Sequence, residues 1–267
     1  MIYFCATPIG NIEDISLRAI ETLKSVDIIA CEDTRVSLKL LNKYGIKKKL
    51  ISYHKFNEAQ VSEEIIKLAR ENDIAIISDA GMPVISDPGE VLIKKLIEEE
   101  IEFTVVPGAN AGLSALLLSG LDSEHFLFYG FLEQKASARK KELESLKDFP
   151  FTLIFYESPH RVKSMLEDLL DIFGDRQISV SREITKLFEE TKRGKVREIL
   201  ASEIKEKGEF VIVVDKAEEK EEVNIQEILR DRINSGMKKS QAVKEIAKEY
   251  NISKNELYKM SLEVQDE

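Results

Sequence analysis

The stretch IAIISDAGMPVISDPG, residues 74–89, joins a four-residue apolar run to a polar loop that holds two acidic residues and two glycines. The apolar run predicts a buried strand. Asp87, Pro88 and Glu90 occupy the N-cap, N1 and N3 positions expected at the start of a helix. Asp79 lies at the end of the strand, several residues before that helix, so it cannot cap the helix. A contact with a polar ligand is the better interpretation of Asp79.

The same order of elements continues on both sides of this stretch. Apolar runs such as IYFCA, DIIAC, KLIS and FTVV alternate with helical patterns at 15–25, 35–43, 58–70, 89–99 and 110–119. A second series follows, with FLFYG, FTLIFYE, QISVS and EFVIVVD as strands and helices at 135–147 and 160–172. This alternation indicates βαβ units. We predict two α/β domains with mostly parallel sheets, residues 1–115 and 116–216.

The composition changes after Asp215. Residues 217–224 are polar and charged without an apolar period, which is typical of a linker. Residues 225–267 carry three helical patterns, and a short turn at 251–253 resembles the turn of a helix-turn-helix. Such a domain is either a small packed helical bundle or a nucleic-acid-binding domain. The nucleic-acid-binding interpretation depends on basic residues such as Lys238 and Lys239.

Composition and charge restrict the class of protein. Of 267 residues, 43% are hydrophobic and 33% charged, and no apolar run reaches the length of a membrane span. The first residues carry no basic leader, so we expect a cytoplasmic protein. Cys5 and Cys31 lie in apolar runs, which favours buried thiols over a disulfide or a metal site. The net charge of −10 argues against indiscriminate nucleic-acid binding but leaves room for local basic clusters, at 43–49, 134–141 and 191–197.

The polar segments that follow the predicted strands are the candidate site. Ligands of open α/β sheets bind outside the carboxyl ends of the strands, and conspicuous loops occur there. The sequence lacks G-x-G-x-x-G after the first strand, a P-loop and a G-x-S-x-G elbow, so these nucleotide-binding and hydrolase sites are disfavoured.

The loops TPIGN, EDTR, SDAGMPVISDPG, PGANA, GFL, YESPHR and REITK, in this order, resemble the ribosomal RNA small-subunit methyltransferase I family. That family lies within the tetrapyrrole (corrin/porphyrin) methylase superfamily, and the likeness covers residues 1–215. The residues 225–264 look like the helix-turn-helix domain that is often appended in this family. Ile184 stands where family members usually carry leucine, which is a conservative difference.

The resemblance implies methyl transfer from S-adenosylmethionine to the ribose 2′-oxygen of a cytidine near the decoding centre of 16S rRNA. It also implies a cofactor cleft between the two α/β domains, a homodimer and action on the small ribosomal subunit. The cofactor contacts implied by matching positions are Pro8, Asp79, Ala80, Gly81, Met82, Asn110, Ala111, Tyr156 and Glu209.

For the transfer itself, a carboxylate that accepts the hydroxyl proton is needed, and Glu32 and Asp33 are both candidates. Arg35, Arg161 and Lys186 are candidates for holding phosphates or polarising the hydroxyl, although an ion-pair network would explain the EDTR residues equally well. The candidate RNA contacts are Arg161, Lys135, Arg139, Lys140, Lys238 and Lys239.

Two other functions fit parts of the sequence. An enzyme of the same fold that methylates a small tetrapyrrole would need neither basic clusters nor a helical tail. A DNA-binding regulator that senses a nucleotide would depend on the tail alone, and the net charge of −10 does not favour it.

Overall fold

The structure is a computed structural model that describes residues 1–218, 225–250 and 252–263. Residues Met1–Ala217 form one compact unit, and the chain from Glu218 onward forms a second. The larger unit contains two five-stranded sheets, and the smaller one is helical.

The first sheet is wholly parallel, in agreement with the predicted mostly parallel sheets. Its strands are β1 (Ile2–Cys5), β2 (Ile28–Cys31), β3 (Lys49–Ser52), β4 (Ile74–Ile77) and β5 (Phe103–Val106), in the order β3-β2-β4-β1-β5. In the register of β1, Ile2 lies opposite both Ile74 of β4 and Phe103 of β5. Because β1 lies between β4 and β5, the loops after β1 and β4 meet at the same edge of the sheet.

Helices cover both faces of this sheet, which explains why β1, β2 and β4 are apolar at nearly every position. On one face, α1 (Leu17–Ser25) and α2 (Thr34–Lys43) bury side chains such as Leu23 and Leu41. On the other face, α3 (Glu58–Leu68) and α4 (Glu90–Glu98) bury Ile65 and Leu92. Each such side chain contributes about 1.5–3 kcal/mol by its burial.

The second sheet differs from the expectation in its strand directions. Its strands are β6 (Phe126–Phe131), β7 (Thr152–Glu157), β8 (Gln177–Arg182), β9 (Glu190–Lys195) and β10 (Phe210–Val214), in the order β6-β7-β10-β8-β9. Only β6 and β7 pair in parallel, whereas the pairs β7–β10, β10–β8 and β8–β9 are antiparallel. The mostly parallel pairing that the sequence predicts holds over the two sheets together, but the second sheet is mostly antiparallel. The reason is that the basic segment 191–197 contributes to β9, whose hairpin with β8 reverses the direction of the chain.

The helices α6 (Ala136–Leu146), α7 (Val162–Phe173) and α8 (Val196–Ala201) pack on one face of the second sheet. Helix α5 (Ala111–Ser119) packs on its other face, where Ala115 and Leu116 contact Ile154 of β7 and Val213 of β10. The boundary predicted between residues 115 and 116 falls inside α5. The division into domains stays a prediction, but α5 packs with the second sheet.

Helix α4 begins differently from the sequence prediction. Its N-cap is Gly89, and neither Asp87 nor Pro88 belongs to the helix. The side chain of Glu58 supplies the cap from α3, because its Oε1 accepts from the backbone nitrogens of Gly89, at 2.8 Å, and Val91, at 3.2 Å. Asp87 is thereby released from the capping role that its spacing suggested.

The second unit consists of α9 (Ile225–Asn234), α10 (Lys239–Glu249) and α11 (Lys254–Glu263). Leu229, Val243, Ile246 and Leu257 form its core. The three predicted helices are confirmed. The predicted turn includes Asn251, which lies outside the described residues, as do residues 219–224 of the predicted linker.

The described residues contain no helix that is both long and apolar enough to cross a membrane. Cys5 and Cys31 are buried free thiols within β1 and β2, as expected, and burial raises the pKa of Cys5 to about 12.

Candidate active site

A cleft of about 410 Å³ opens between the two sheets of the larger unit. Residues from the loops after β2, β4 and β5 line one side: Glu32, Asp79, Ala80, Gly81, Met82, Ile85, Ser86, Asp87, Asn110 and Ala111. Residues carried by the second sheet line the other: Phe131, Tyr156, Glu157, Ser158, Pro159, Ile184, Gly208, Glu209, Phe210 and Val211. Ile9, after β1, completes the lining, which is therefore assembled from segments distant in the sequence, from Ile9 to Val211.

The loop at 78–89 has a constrained backbone. Residues Thr7 and Gly81 exchange backbone hydrogen bonds of 2.9 and 3.1 Å, which fixes the loop to the segment after β1. Val84 and Ser86 have positive φ angles of 75° and 68°, a conformation that is strained for residues with a side chain. A Cβ at Gly89 would lie 2.5 Å from Val84 Cγ2, so only glycine fits there. Strain of this kind is concentrated at ligand sites.

Three carboxyl groups, those of Glu32, Asp79 and Asp87, line the cleft and have raised pKa values. Burial is the main cause for each. The negative charge of Asp79 adds to the effect on Glu32, and that of Glu32 adds to the effect on Asp87, whose pKa rises to about 6. These three carboxylates therefore lack a positively charged neighbour whose attraction would outweigh the cost of burying their charge. Such an arrangement suits a cationic ligand.

The two candidate bases of the EDTR segment have different surroundings. Asp33 caps α2 by accepting from the backbone nitrogen of Arg35, and its carboxylate lies 2.6 Å from the Arg35 guanidinium. These bonds lower the pKa of Asp33 to about 2, which makes it a weak base. Glu32 faces the cleft, whereas Asp33 and Arg35 do not line it.

The backbone nitrogen of Asp33 donates to Asp79 Oδ1 at 3.0 Å. Asp79 therefore connects the loops after β2 and β4, in addition to lining the cleft. This bond helps to keep Glu32 and Asp79 at the same edge of the sheet.

Tyr156 and Asn110 organise the start of α5. Asn110 Oδ1 accepts from the backbone nitrogen of Leu113 at 2.9 Å, which confirms its capping role. The Tyr156 hydroxyl accepts from the backbone nitrogen of Gly112 at 3.1 Å. Because Tyr156 belongs to β7 and Gly112 to α5, this bond ties the wall of the cleft to the second sheet.

Lys186 lies at the rim of the cleft without lining it. Its Nζ is 2.8 Å from both Glu183 Oε1 and Glu209 Oε2. Partial burial disfavours the charged form of Lys186, but the hydrogen bonds to Glu183 and Glu209 favour it more strongly and raise the pKa of Lys186. The lysine thus stays charged and holds Glu209 in place.

The structure brings together most of the predicted cofactor contacts. Those that line the cleft are Asp79, Ala80, Gly81, Met82, Asn110, Ala111, Tyr156 and Glu209. Pro8 does not line it, and its neighbour Ile9 does. Whether these residues bind the cofactor stays a prediction.

The predicted RNA contacts divide into exposed and enclosed residues. Arg139 is wrong as a surface contact, because its side chain is 5% exposed and its guanidinium lies 2.6 Å from Asp168, which is 8% exposed. Arg161 donates to the backbone oxygens of Leu132 and Glu133 at 3.0 and 3.1 Å, so its guanidinium is engaged in hydrogen bonds within the protein.

Three of the remaining RNA candidates, Lys135, Lys140 and Lys238, are exposed, and Lys239 is partly buried. Lys140 nevertheless forms ion pairs with Asp168 and Asp171. Their contact with RNA stays a prediction.

Several cleft residues were missed by sequence reasoning. Asp87 was assigned to a helix cap, although its place in the loop after β4 was a usable signal. Phe131, Ile184 and Val211 look like ordinary strand or loop residues in the sequence, and only the packing of the second sheet brings them to the cleft. Within the described residues, no three His, Cys, Asp or Glu side chains are arranged to hold a metal ion.

Comparison with known proteins gives consistent matches. The family model described as Tetrapyrrole (Corrin/Porphyrin) Methylases matches residues 1–200. The chain is 43% identical to the ribosomal RNA small subunit methyltransferase I of Halalkalibacterium halodurans, covering 96% of this chain and 93% of that protein. Proteins with the same name from Bacillus subtilis and Mesorhizobium japonicum are also 43% identical, over 97% and 99% of this chain and 92% of each relative.

Solved structures share the fold at low identity. A uroporphyrin-III-C-methyltransferase from Thermus thermophilus is 20% identical with a TM-score of 0.58, over 81% of this chain and 94% of that one. A diphthine synthase is 11% identical with a TM-score of 0.64, over 80% of this chain and 89% of that one. The sheets, the cleft between them and the family match together show that this chain belongs to the tetrapyrrole (corrin/porphyrin) methylase family.

Proposed function

We propose that the cleft binds S-adenosylmethionine and that the protein methylates the ribose 2′-oxygen of a cytidine in 16S rRNA. The convergence of Glu32, Asp79 and Asp87 in one cleft carries the proposal. Relatives that share 43% identity over nearly the whole chain are named ribosomal RNA small subunit methyltransferases, which supports the choice of RNA as the acceptor.

The lining fits the chemistry of S-adenosylmethionine. The molecule carries positive charge on its sulfonium and its amino group, and the three carboxyl groups offer negative charge whose burial that cation would offset. Ile9, Phe131 and Val211 provide apolar surface for the rest of the molecule. Asp79 and Asp87 are the residues that we assign to the cationic end.

When bound, S-adenosylmethionine supplies an electrophilic methyl group. The protein must align the acceptor oxygen with it and receive the hydroxyl proton. Glu32 suits the second task, because it faces the cleft and its raised pKa makes it a stronger base than an ordinary carboxylate. Asp33 is less suited, because its pair with Arg35 lowers its pKa to about 2.

The acceptor belongs to a large polyanion, which fits the exposed basic residues outside the cleft. Lys135 and Lys238 are exposed, and Arg35 is 86% exposed at the start of α2. Such residues contact phosphates. The small ribosomal subunit is the form of the RNA that we propose as substrate, since a folded RNA surface presents ribose hydroxyls and shape.

We also propose that the protein acts as a homodimer. Leu113 and Leu117 are one helical turn apart on α5 and are 53% and 80% exposed. A second copy would remove this apolar face from water. Sedimentation equilibrium tests this, since a monomer at micromolar concentration would contradict it.

The decisive experiment transfers labelled methyl from S-adenosylmethionine to small ribosomal subunits isolated from cells that lack this protein. Nucleoside analysis should place the label on a cytidine 2′-oxygen. Label on another atom would overturn the proposed acceptor. Labelling of a tetrapyrrole, with none in the RNA, would favour the small-molecule methylases of the same fold.

A further inference from the structure

We propose that the loop at 53–57, between β3 and α3, binds the base of the acceptor nucleotide by stacking it on Phe56. The inference rests on the proposed function, because it assigns the RNA-facing part of that same site. Phe56 lies outside the cleft lining, so it is distinct from the residues assigned to the cofactor.

Phe56 is an unusual surface residue. Its side chain is 95% exposed, the highest value among the large hydrophobic residues that the structure describes. Its ring contacts that of His54, at 6.1 Å between centroids and an interplanar angle of 65°. One face of the Phe56 ring is therefore open to a flat partner.

The loop that carries Phe56 is held by specific bonds. Asn57 closes the turn, because its Oδ1 accepts from the backbone nitrogen of His54 at 2.8 Å and its Nδ2 donates to the Ser52 oxygen at 2.9 Å. Tyr53, which is buried, anchors the start of the loop through its backbone nitrogen, which donates to the Cys31 oxygen at 2.8 Å. A fixed loop presents an aromatic ring at little entropic cost to binding.

The loop lies beside the candidate base. Cys31, to which Tyr53 is bonded, directly precedes Glu32, and the charge of His54 is close enough to affect the pKa of Glu32. His54 thus contacts the Phe56 ring and lies within electrostatic range of Glu32. A nucleotide whose base stacked on Phe56 would bring its ribose toward Glu32.

The surroundings favour a nucleobase over an apolar protein surface. Lys55 is exposed next to Phe56, and Arg35 is exposed on the helix that follows Glu32. Proteins recognise unstacked RNA bases and their phosphates by combining an exposed aromatic ring with basic side chains of this kind. An apolar partner would leave these charges desolvated.

The first test compares the variants Phe56→Ala and Phe56→Tyr in methyl transfer to small ribosomal subunits from cells lacking the protein. Loss of a stacked base costs about tenfold or more in affinity. We expect Phe56→Ala to raise KM for the subunits about tenfold and to leave S-adenosylmethionine affinity unchanged, and Phe56→Tyr to restore KM. Ile97→Ala is the matched control, because Ile97 is 62% exposed in the last turn of α4, at the opposite edge of the first sheet.

The second test uses fluorescence, because the chain contains no tryptophan. In the variant Phe56→Trp, a short oligocytidylate should quench the single tryptophan, whereas an abasic oligomer of equal length should not. The variant Ile97→Trp should respond to neither.

The outcomes separate the two proposals. An active wild-type enzyme with unchanged KM in Phe56→Ala would overturn this inference and leave the proposed function standing. Equal quenching by the abasic oligomer would also overturn it, since binding would then depend on phosphates. If the wild-type protein methylated no ribosomal RNA, the proposed function would fail, and quenching by oligocytidylate would still decide whether Phe56 stacks on a base.

Discussion

Replacing Asp87 by Asn should make the protein more stable at neutral pH and weaken its binding of S-adenosylmethionine. Burial, followed by the charge of Glu32, raises the pKa of Asp87 to about 6. The ionised form is therefore disfavoured in the folded state without a ligand. Asparagine has nearly the same shape and no charge, so it removes that cost together with the attraction for a cation.

The magnitude follows from the shift. The pKa rises from the ordinary 3.8 to about 6, roughly two units, which corresponds to an upper limit of about 3 kcal/mol. Because the side chain is partly open to water in the cleft, we expect about 1–2 kcal/mol. The pKa of Asp87 is higher in the folded protein than in the unfolded chain. The contribution of Asp87 to the free energy of unfolding is therefore fully present below pH 3.8 and is lost as the pH rises through 6.

Urea unfolding of the wild type and Asp87→Asn at pH 8 and pH 4 measures this effect. The variant should be more stable by about 1–2 kcal/mol at pH 8, and the difference should shrink at pH 4. Calorimetry should show weaker S-adenosylmethionine binding. Asp33→Asn is the control of opposite sign, because hydrogen bonds with Arg35 lower the pKa of Asp33 to about 2 and its charge stabilises the folded state at pH 8. The reasoning would be refuted if Asp87→Asn were no more stable than the wild type at pH 8, or if it were more stable by the same amount at both pH values.

Three further substitutions test other parts of the site and fold. Glu32→Gln should lower kcat by about 10²–10⁴-fold with a smaller effect on S-adenosylmethionine affinity, and the wild-type rate should rise with pH up to a plateau; unchanged turnover would assign the base elsewhere. Arg139→Ala should destabilise the protein by up to about 3–5 kcal/mol in urea, because it removes the buried partner of Asp168 and leaves only the more exposed Lys140 to pair with that carboxylate, whereas weaker RNA binding at unchanged stability would restore Arg139 as an RNA contact. Gly10→Ala should cost about 1–3 kcal/mol and lower Tm, because the new Cβ would lie 2.7 Å from Thr185 Oγ1, which is already bonded to the backbone nitrogen of Asn11; an unchanged Tm would show that the segment from Ile184 to Lys186 moves freely.

The candidate site was accessible to sequence reasoning where its residues form a continuous segment. The loop from Asp79 to Met82 follows an unmistakable buried strand, so its position at the sheet edge could be inferred. Asp87 was misjudged because Asp-Pro-x-Glu satisfies the local rule for a helix start, and Glu58, 31 residues earlier than Gly89, takes that role instead. Arg139 was misjudged because a basic run reads as exposed, although one of its members is buried against Asp168.

The sequence alone determined most of the alternation of strands and helices, the parallel βαβ character of the first domain, the three C-terminal helices and the family resemblance. These features depend on periodicity and on local motifs, which neighbouring residues encode. Only the tertiary structure decided the antiparallel pairing of the second sheet, the cap of α4 and the meeting of Asp87 with Glu32. Each of these depends on contacts between distant segments, where burial and packing outweigh local preference, and the pKa of a side chain is set by those distant neighbours.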